Sequence, residues 1–211
     1  MSLDQPKEKP DKSGNRRALI LAAYHRIAID GFEGLRTRDI AADVGINIST
    51  LHYYFPGKES LIRAVVHHTY AVLASTYPRF GTPAEQFHGH IEGLRTLLKT
   101  NHQVCAVSSE IALRATRDEA IASMMEQADR TWFVMLRGLI ALGVRDGWLP
   151  ANLDPDAATA AFIAIIRGIS MQASSTLPPE RIDQTIDQLE QWFGLPAHIQ
   201  PEPAEAPEPT T

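Results

Sequence analysis

Residues 37–58 read TRDIAADVGINISTLHYYFPGK, and this stretch decides the fold. Apolar residues at helical spacing predict a short amphipathic helix that begins with Thr37 as its N-cap. Gly45 can adopt the left-handed backbone that a sharp turn requires, and Asn47 can cap a second helix over residues 48–55. The pattern therefore predicts two short helices joined by a tight turn.

The second of these helices is rich in polar and aromatic side chains and contains neither Asp nor Glu. An ordinary αα-hairpin is the alternative interpretation, because two short helices around a glycine are common. The composition instead favours a surface that faces an acceptor-rich polyanion, and we interpret the segment as a DNA recognition helix. The groups able to hydrogen-bond are those of Ser49, Thr50, His52, Tyr53 and Tyr54.

A wider pattern surrounds this stretch, from about residue 15 to residue 61. It consists of Ile20, Ala22, Ala23, Ile27, Gly31, Phe32, Thr37, Ile40, Ala41, Val44, Gly45, Thr50, Leu51, Tyr53, Phe55, Lys58 and Glu59. In register, these residues resemble the N-terminal signature of the tetracycline-repressor (TetR) family. The resemblance implies an all-helical homodimer that binds palindromic operator DNA and usually releases it when a small molecule enters its C-terminal domain. Two positions depart from the family pattern: His52 stands where tyrosine is usual, and Gly57 where serine is common.

Phosphate contacts are predicted for Thr50, Tyr53 and Lys58, because a hydroxyl, a phenol and an ammonium can each donate to phosphate oxygens. Lys58 also begins a helix, whose free amides favour an anion. Arg38, in the first turn of the preceding helix, can touch a phosphate or a base edge. Arg36 is a weaker candidate.

Base contacts are predicted for residues of the recognition helix that offer a hydroxyl, a ring or a methyl group: Ile48, Ser49, Thr50 and His52. No Arg or Gln belongs to this helix, so strong bidentate recognition of guanine or adenine is less available. Specificity then draws on water, on DNA shape and on the arm around Arg16 and Arg17.

The distribution of charge agrees with this placement. The chain has 211 residues and a net charge of −5. Residues 1–58 hold nine Lys/Arg against seven Asp/Glu, a net of +2, and the remainder has a net of −7. An architectural protein that coats DNA without effector control is the alternative, and the acidic remainder argues against it.

We predict an all-α fold with an N-terminal helix-turn-helix DNA-binding domain (15–60) and a larger C-terminal helical domain for effector binding and dimerisation (61–195). Residues 1–14 and 196–211 are predicted to be a disordered arm and tail. The predicted helices beyond residue 56 are Lys58–Tyr77, Ala84–Thr100, Val104–Ala115, Asp118–Arg145, Pro155–Ser174 and Pro179–Phe193. No apolar stretch of secretory type follows the N-terminal lysines, and the most apolar later run, residues 157–169, is broken by Arg167. Together these features predict a soluble cytoplasmic protein with no membrane contact.

Two late helices are predicted to form the homodimer interface. A stripe of small residues allows close helix approach in one of them, and the other has a narrow apolar face that suits a two-fold four-helix contact. The alternative is that both faces pack inside one chain. The predicted interface residues are Ala160, Ala161, Ala164, Ile165, Gly168, Ile182, Ile186, Leu189 and Phe193.

An effector pocket is predicted where aromatic and methionine side chains gather in the C-terminal domain, although such stripes form core more often than a ligand site. The predicted contacts are Tyr70, Phe87, Met125, Trp132 and Phe133. The pairs His67-His68 and His88-Gly89-His90 face different sides of a helix, so we predict no metal and no cofactor.

A small helical enzyme is the alternative from a different class of protein. It would use Cys105 with His102, or Glu110 as a base. No nucleophile elbow, glycine-rich phosphate loop or paired-acid motif accompanies these residues, so we predict no enzymatic activity. The single cysteine also excludes an internal disulfide.

Overall fold

The computed structural model describes residues 12–173 and 177–195. Within them the chain forms nine α-helices and no strand, which confirms the predicted all-α class. The helices are α1 (Lys12–Asp30), α2 (Thr37–Val44), α3 (Ile48–Tyr54), α4 (Lys58–Ala74), α5 (Pro83–Thr100), α6 (His102–Ala115), α7 (Glu119–Asp146), α8 (Pro155–Ala173) and α9 (Pro179–Trp192).

Two residues fix the turn between α2 and α3. Gly45 ends α2 in the left-handed conformation, with φ 71° and ψ 27°, and its N–H donates to the carbonyls of Ala41 and Ala42. Asn47 caps α3, because its Oδ1 accepts the amide N–H of Thr50 at 2.7 Å. The predicted helix-turn-helix is therefore confirmed, together with the predicted roles of its glycine and its asparagine.

The predicted cap of α2 is wrong. Thr37 is the first helical residue, and the N-cap position belongs to Arg36, whose backbone is extended and whose side chain makes no capping hydrogen bond. The start of α2 consequently leaves its first amides without a side-chain partner.

Other helix boundaries differ from prediction by one to three residues. The end of α4 lies at Ala74 instead of Tyr77, because the hydroxyls of Ser75 and Thr76 bond back to carbonyls of the last turn at 2.6 and 2.7 Å. At the other terminus, residues 12–14 belong to α1 and not to a disordered arm. The remainder of that arm, the tail (196–211) and the predicted helix end at residue 174 lie outside the described residues.

Two apolar cores hold the helices together. One core joins α1–α4 and is completed by Val107 and Ile111 of α6 and by Ile121 of α7. The other core is built mainly from α5, α7, α8 and α9. The short N-terminal helices therefore complete their burial against α6 and α7, as expected of a unit too small for a large core of its own.

A buried ion pair fastens α9 to α5. The Arg95 guanidinium, 4% exposed, donates from Nη2 to Glu190 Oε2 at 2.7 Å and from Nη1 to Asp187 Oδ1 at 2.8 Å. Burial raises the pKa of the Glu190 carboxyl against the lowering effect of Arg95. Removing Arg95 would leave the buried Glu190 carboxyl without its nearest cation, so the pair fixes the position of α9.

The apolar face of α9 packs within the chain, which corrects part of the predicted dimer interface. Each of its members is at most 3% exposed and belongs to the core built from α5, α7, α8 and α9. These side chains are unavailable to a second subunit, since their neighbours in the same subunit already cover them. They are Ile182, Ile186, Leu189 and Phe193.

Candidate nucleic-acid interface

The outer face of α3 carries polar and aromatic side chains into solvent. Ser49, His52 and Tyr53 are exposed, and Tyr53 is 68% exposed with its ring edge-on to Tyr54 at 5.3 Å. On the opposite side, Leu51 is fully buried. The helix is thus anchored by its apolar side and presents its hydrogen-bonding side outward. Ile48 and Thr50 lie half-buried at its edge.

The Thr50 side chain already has a partner within α3. Its hydroxyl donates to Asn47 Oδ1 at 2.9 Å, and its amide N–H donates to the same oxygen. A hydroxyl has a single proton, so donation by Thr50 to a phosphate requires the bond to Asn47 to break, whereas its oxygen remains free to accept.

Beside α3 lies an open concavity of about 580 Å³. It brings together three of the predicted contacts, Arg38, His52 and Lys58, from three different helices. The remaining lining residues are Leu35, Arg36, Thr37 and Asp39. The cationic side chains of Arg36, Arg38 and Lys58 therefore surround the uncapped start of α2, where free amides favour an anion. This combination can hold a phosphate group of a DNA backbone.

Lys58 is held in this concavity by the backbone. Its Nζ donates to the carbonyl oxygen of Phe32 at 3.2 Å. An ammonium has three N–H donors, so two remain for an outside acceptor.

Gly57 precedes α4 with φ 98° and ψ 160°, a conformation that glycine adopts and that other residues rarely do. A serine at this position would be strained here. No side chain caps α4 at this position, and Ser60 Oγ donates to the Gly57 carbonyl at 2.8 Å. The glycine that departs from the family pattern therefore occupies a backbone conformation that suits glycine.

The sequence ranked Arg36 below Arg38, because the position of Arg36 outside the predicted helix does not indicate where its side chain points. The structure places it next to Arg38 in the concavity. A sequence signal was available, because no Glu or Gln follows Thr37 by three residues, so Thr37 has no capping box. Without that box, the N-cap could equally be residue 36.

Comparison with known protein families identifies the family to which this chain belongs. Residues 19–65 match the family described as bacterial regulatory proteins, tetR family. Residues 83–191, more than half of the chain, match the domain described as BetI-type transcriptional repressor, C-terminal. The chain belongs to the TetR family. It is therefore a DNA-binding transcriptional regulator, and the family is not enzymatic.

Solved structures share the fold over most of the chain. A transcription regulator from Haloarcula marismortui has a TM-score of 0.74 at 18% identity, covering 86% of this chain and 97% of that one. A regulator from Saccharomonospora viridis in complex with choline has a TM-score of 0.70 at 20% identity and covers 85% and 97%. AibR, in complex with isovaleryl coenzyme A and operator DNA, has a TM-score of 0.66 at 17% identity and covers 85% and 98%. No curated protein matches the chain.

The three residues of the alternative enzyme interpretation are Cys105, Glu110 and His102, and the structure gives the surroundings of each. Cys105 is fully buried, and burial raises the pKa of its thiol, which opposes formation of the nucleophilic thiolate. Glu110 accepts a hydrogen bond from the backbone N–H of Phe32 at 3.3 Å. His102 is exposed at the first position of α6.

Two of the predicted effector contacts lie in one aromatic cluster. Phe87 is fully buried, and its ring lies 6.0 Å from that of Phe162, which in turn lies 6.2 Å from Trp132. Trp132 Nε1 donates to His90 Nε2 at 2.9 Å. His90 Nδ1 lies 3.0 Å from the Thr76 hydroxyl, so both ring nitrogens are engaged and neither is free for a metal.

The other predicted effector contacts do not join that cluster. Tyr70 packs against the core of α1–α4, and burial, with a contribution from Asp129, raises its pKa to about 12. Met125 and Phe133 are half-buried on α7. The structure therefore separates the predicted set, and Phe87 is a core residue in this conformation.

The small-residue stripe of α8 faces outward. Ala160, Ala161 and Ala164 are exposed. Ile165 and Gly168 are half-buried and line a groove of about 380 Å³ that reaches Arg181 and Thr185 of α9. A Cβ at Gly168 would meet no atom within 4 Å in the subunit. Across residues 12–173 and 177–195, no helix has the length and apolar character needed to cross a bilayer.

Proposed function

We propose that this TetR-family regulator is a homodimeric repressor that holds a palindromic operator with two copies of α3 and releases it when a small molecule binds the C-terminal domain. The outward face of α3 next to the cationic concavity is the observation that carries the proposal. In this proposal Ser49, Thr50, Ile48 and His52 contact bases, and Arg38, Tyr53 and Lys58 contact phosphates. Because chromosomal DNA is the target, we infer a cytoplasmic protein.

The geometry of a two-fold dimer sets the form of the operator. Two recognition helices in successive major grooves on one side of the duplex place half-site centres roughly 34 to 36 Å apart, or a multiple of that distance. The exposed stripe of α8 supports the dimer, since small residues allow helices of two subunits to approach closely.

Effector release requires a ligand that binds the released conformation better than the operator-bound one, since equal affinity shifts nothing. Related folds solved with choline, or with isovaleryl coenzyme A and operator DNA, support such control here. Both compounds belong in a first panel titrated against the protein–operator complex. A compound that binds the protein and leaves operator affinity unchanged would contradict the coupling for that site.

Selection of bound duplexes from a randomised DNA library tests the DNA half of the proposal. We expect a palindromic consensus. Lys58→Ala should then weaken binding to the selected and to scrambled duplexes about equally, and should reduce the slope of log affinity against log salt by about 0.9, because one phosphate contact is lost.

His52→Ala should instead reduce the preference for the selected duplex, by roughly fivefold to a hundredfold at the base pair that it contacts. Arg117→Ala and His102→Ala are matched controls, since both side chains are exposed on the C-terminal part of the chain. They should leave affinity and salt slope unchanged. A library that yields no consensus, or two interface variants that behave like their controls, would refute the assignment of the interface.

A further inference from the structure

The backbone of Phe32 is bonded on both sides by residues distant in sequence. Phe32 lies in the loop between α1 and α2, and its N–H donates to Glu110 Oε2 of α6 at 3.3 Å. Its carbonyl accepts from Lys58 Nζ at the start of α4 at 3.2 Å. A single residue thus connects a carboxylate of the C-terminal part to the ammonium of the proposed phosphate contact.

Close packing restricts the position of the Glu110 carboxylate. Gly31 has φ 66°, and a Cβ added there would lie 3.0 Å from Glu110 Oε2. The carboxylate therefore lies directly against the backbone of residues 31 and 32. Gln103 of α6 also bonds His25 Nδ1 of α1 at 2.8 Å, so α6 contacts this end of α1 at more than one level.

Arg114, one turn after Glu110, holds the other side of the same residue. Its guanidinium carbon lies 5.3 Å from the centroid of the buried Phe32 ring. Its Nη2 donates to Glu59 Oε1 at 3.1 Å, and its Nε donates to Asp118 Oδ2 at 3.1 Å. Glu59 follows Lys58 directly, so α6 holds both the loop that anchors Lys58 and the helix turn that carries it.

We infer that Glu110 is a positioning residue for the DNA contact of Lys58. The carboxylate fixes the Phe32 peptide, the Phe32 carbonyl takes one N–H of the ammonium, and the two remaining N–H groups are directed to the acceptor in the concavity. This inference rests on the proposed function, and it makes the strength of one phosphate contact depend on the position of α6.

A double-mutant cycle on a duplex selected with the wild-type protein tests this dependence. Glu110→Ala should weaken binding by about tenfold, the scale of one charge-assisted hydrogen bond, and should lower the salt slope by about 0.9, as Lys58→Ala does. In the Lys58→Ala background, Glu110→Ala should change affinity by less than about twofold, because the contact that it positions is already lost.

The conservative variants separate hydrogen bonding from charge. Glu110→Gln keeps an oxygen that can accept the Phe32 N–H, so it should retain near wild-type affinity and salt slope. Glu110→Asp keeps the charge but shortens the side chain, so it should weaken binding and lower the salt slope as Glu110→Ala does. If Glu110→Ala fails to fold, Glu110→Asp takes its place in the double-mutant cycle. Glu126→Ala removes an exposed carboxylate of α7 and should change neither quantity.

Equal weakening by Glu110→Ala in both backgrounds would overturn the inference, because the effect would not pass through Lys58. An unchanged salt slope in Glu110→Ala would do the same. If Lys58→Ala itself leaves affinity and salt slope unchanged, the phosphate contact of the proposed function is wrong and the inference falls with it. If the wild type selects a consensus and Lys58→Ala weakens binding as expected, but the effects of Lys58→Ala and Glu110→Ala are additive, the inference alone is refuted.

Discussion

His90 is 2% exposed, and its ring has a fixed set of partners. Trp132 Nε1 can only donate, so His90 Nε2 must accept and the proton of the neutral ring must lie on Nδ1. A second proton would place two donors face to face between these rings. Burial, which acts against the charged form, lowers the pKa of His90 to about 4.

This histidine makes the free energy of unfolding depend on pH. The pKa is lowered in the folded state, from 6.5 to about 4, so within that window the unfolded chain binds the extra proton. Stability should therefore fall as pH decreases through this window, and should change no further on this account below the folded pKa. Between about pH 7 and about pH 5, the loss from His90 alone should be about 2 kcal/mol.

Urea unfolding of the wild type and of His90→Gln at both pH values measures this contribution. Glutamine supplies one acceptor and one donor but does not titrate in this range, so all other ionisable groups cancel in the comparison. The wild type should lose about 2 kcal/mol more than the variant on acidification. Equal losses in the two proteins would mean that His90 is not buried as a neutral ring.

At the scale of single helices, two threonines lie at helix starts, and only one of them caps its helix. Thr82 caps α5: its Oγ1 accepts the amide of Glu85 at 3.3 Å, and Glu85 Oε2 accepts the amide of Thr82 at 2.7 Å. Thr37 begins α2 without any capping bond. The sequence contains the distinguishing signal, because a glutamate follows Thr82 by three residues whereas Ile40 occupies the equivalent place after Thr37.

Thr82→Ala should lower the free energy of unfolding by about 1 kcal/mol, since it removes the hydroxyl that accepts the Glu85 amide and leaves only the Glu85 half of the capping box. Thr37→Ala should lower it by less than about 0.5 kcal/mol, because no capping bond is lost. Thermal and denaturant unfolding of both variants give the comparison, and each serves as the control for the other. A larger loss in Thr37→Ala would restore the cap that the sequence predicted.

Helix positions were predictable because caps, prolines and apolar periodicity are local signals. The packing partner of each face was not. The apolar periodicity of α9 identified a face at Ile182 and Ile186 that must be buried, but periodicity does not say what buries it. In the structure this face packs against other helices of the same subunit. Glu190, an acidic residue that is fully buried, contradicts any local expectation, because its partner Arg95 lies 95 residues earlier in the chain.

The interface shows the same division between local and tertiary information. The outward position of Ser49, His52 and Tyr53 followed from composition and period. The concavity did not, because it combines side chains of α2, α3 and α4 whose meeting depends on how the helices cross. The bond from Lys58 to the Phe32 carbonyl is likewise a product of tertiary folding.

On the scale of the whole molecule, the outer side of α8 leaves a stripe of small residues exposed. Ala160, Ala161 and Ala164 are exposed to solvent, and the neighbouring groove extends from Gly168 to Arg181. Exposed Val134, Met171 and Trp192, at 64%, 67% and 64%, lie on α7, α8 and the end of α9. The proposed dimer therefore uses the outer side of α8 and excludes the apolar face of α9.

Ala164→Arg tests that surface. In a two-fold contact the new guanidinium would be desolvated without a partner, so the dimer dissociation constant should rise by at least about a hundredfold. Ala112→Arg is the matched control, because Ala112 is also an exposed alanine inside a helix, on α6. Sedimentation velocity across a dilution series should give monomers for the α8 variant and dimers for the control.

Since each half-site alone binds weakly, loss of the dimer should also abolish tight binding to a palindromic duplex, while a duplex with one half-site should bind both proteins equally. A dimeric Ala164→Arg protein would place the subunit contact elsewhere, and a monomeric wild type that still binds the palindrome tightly would remove the need for a dimer.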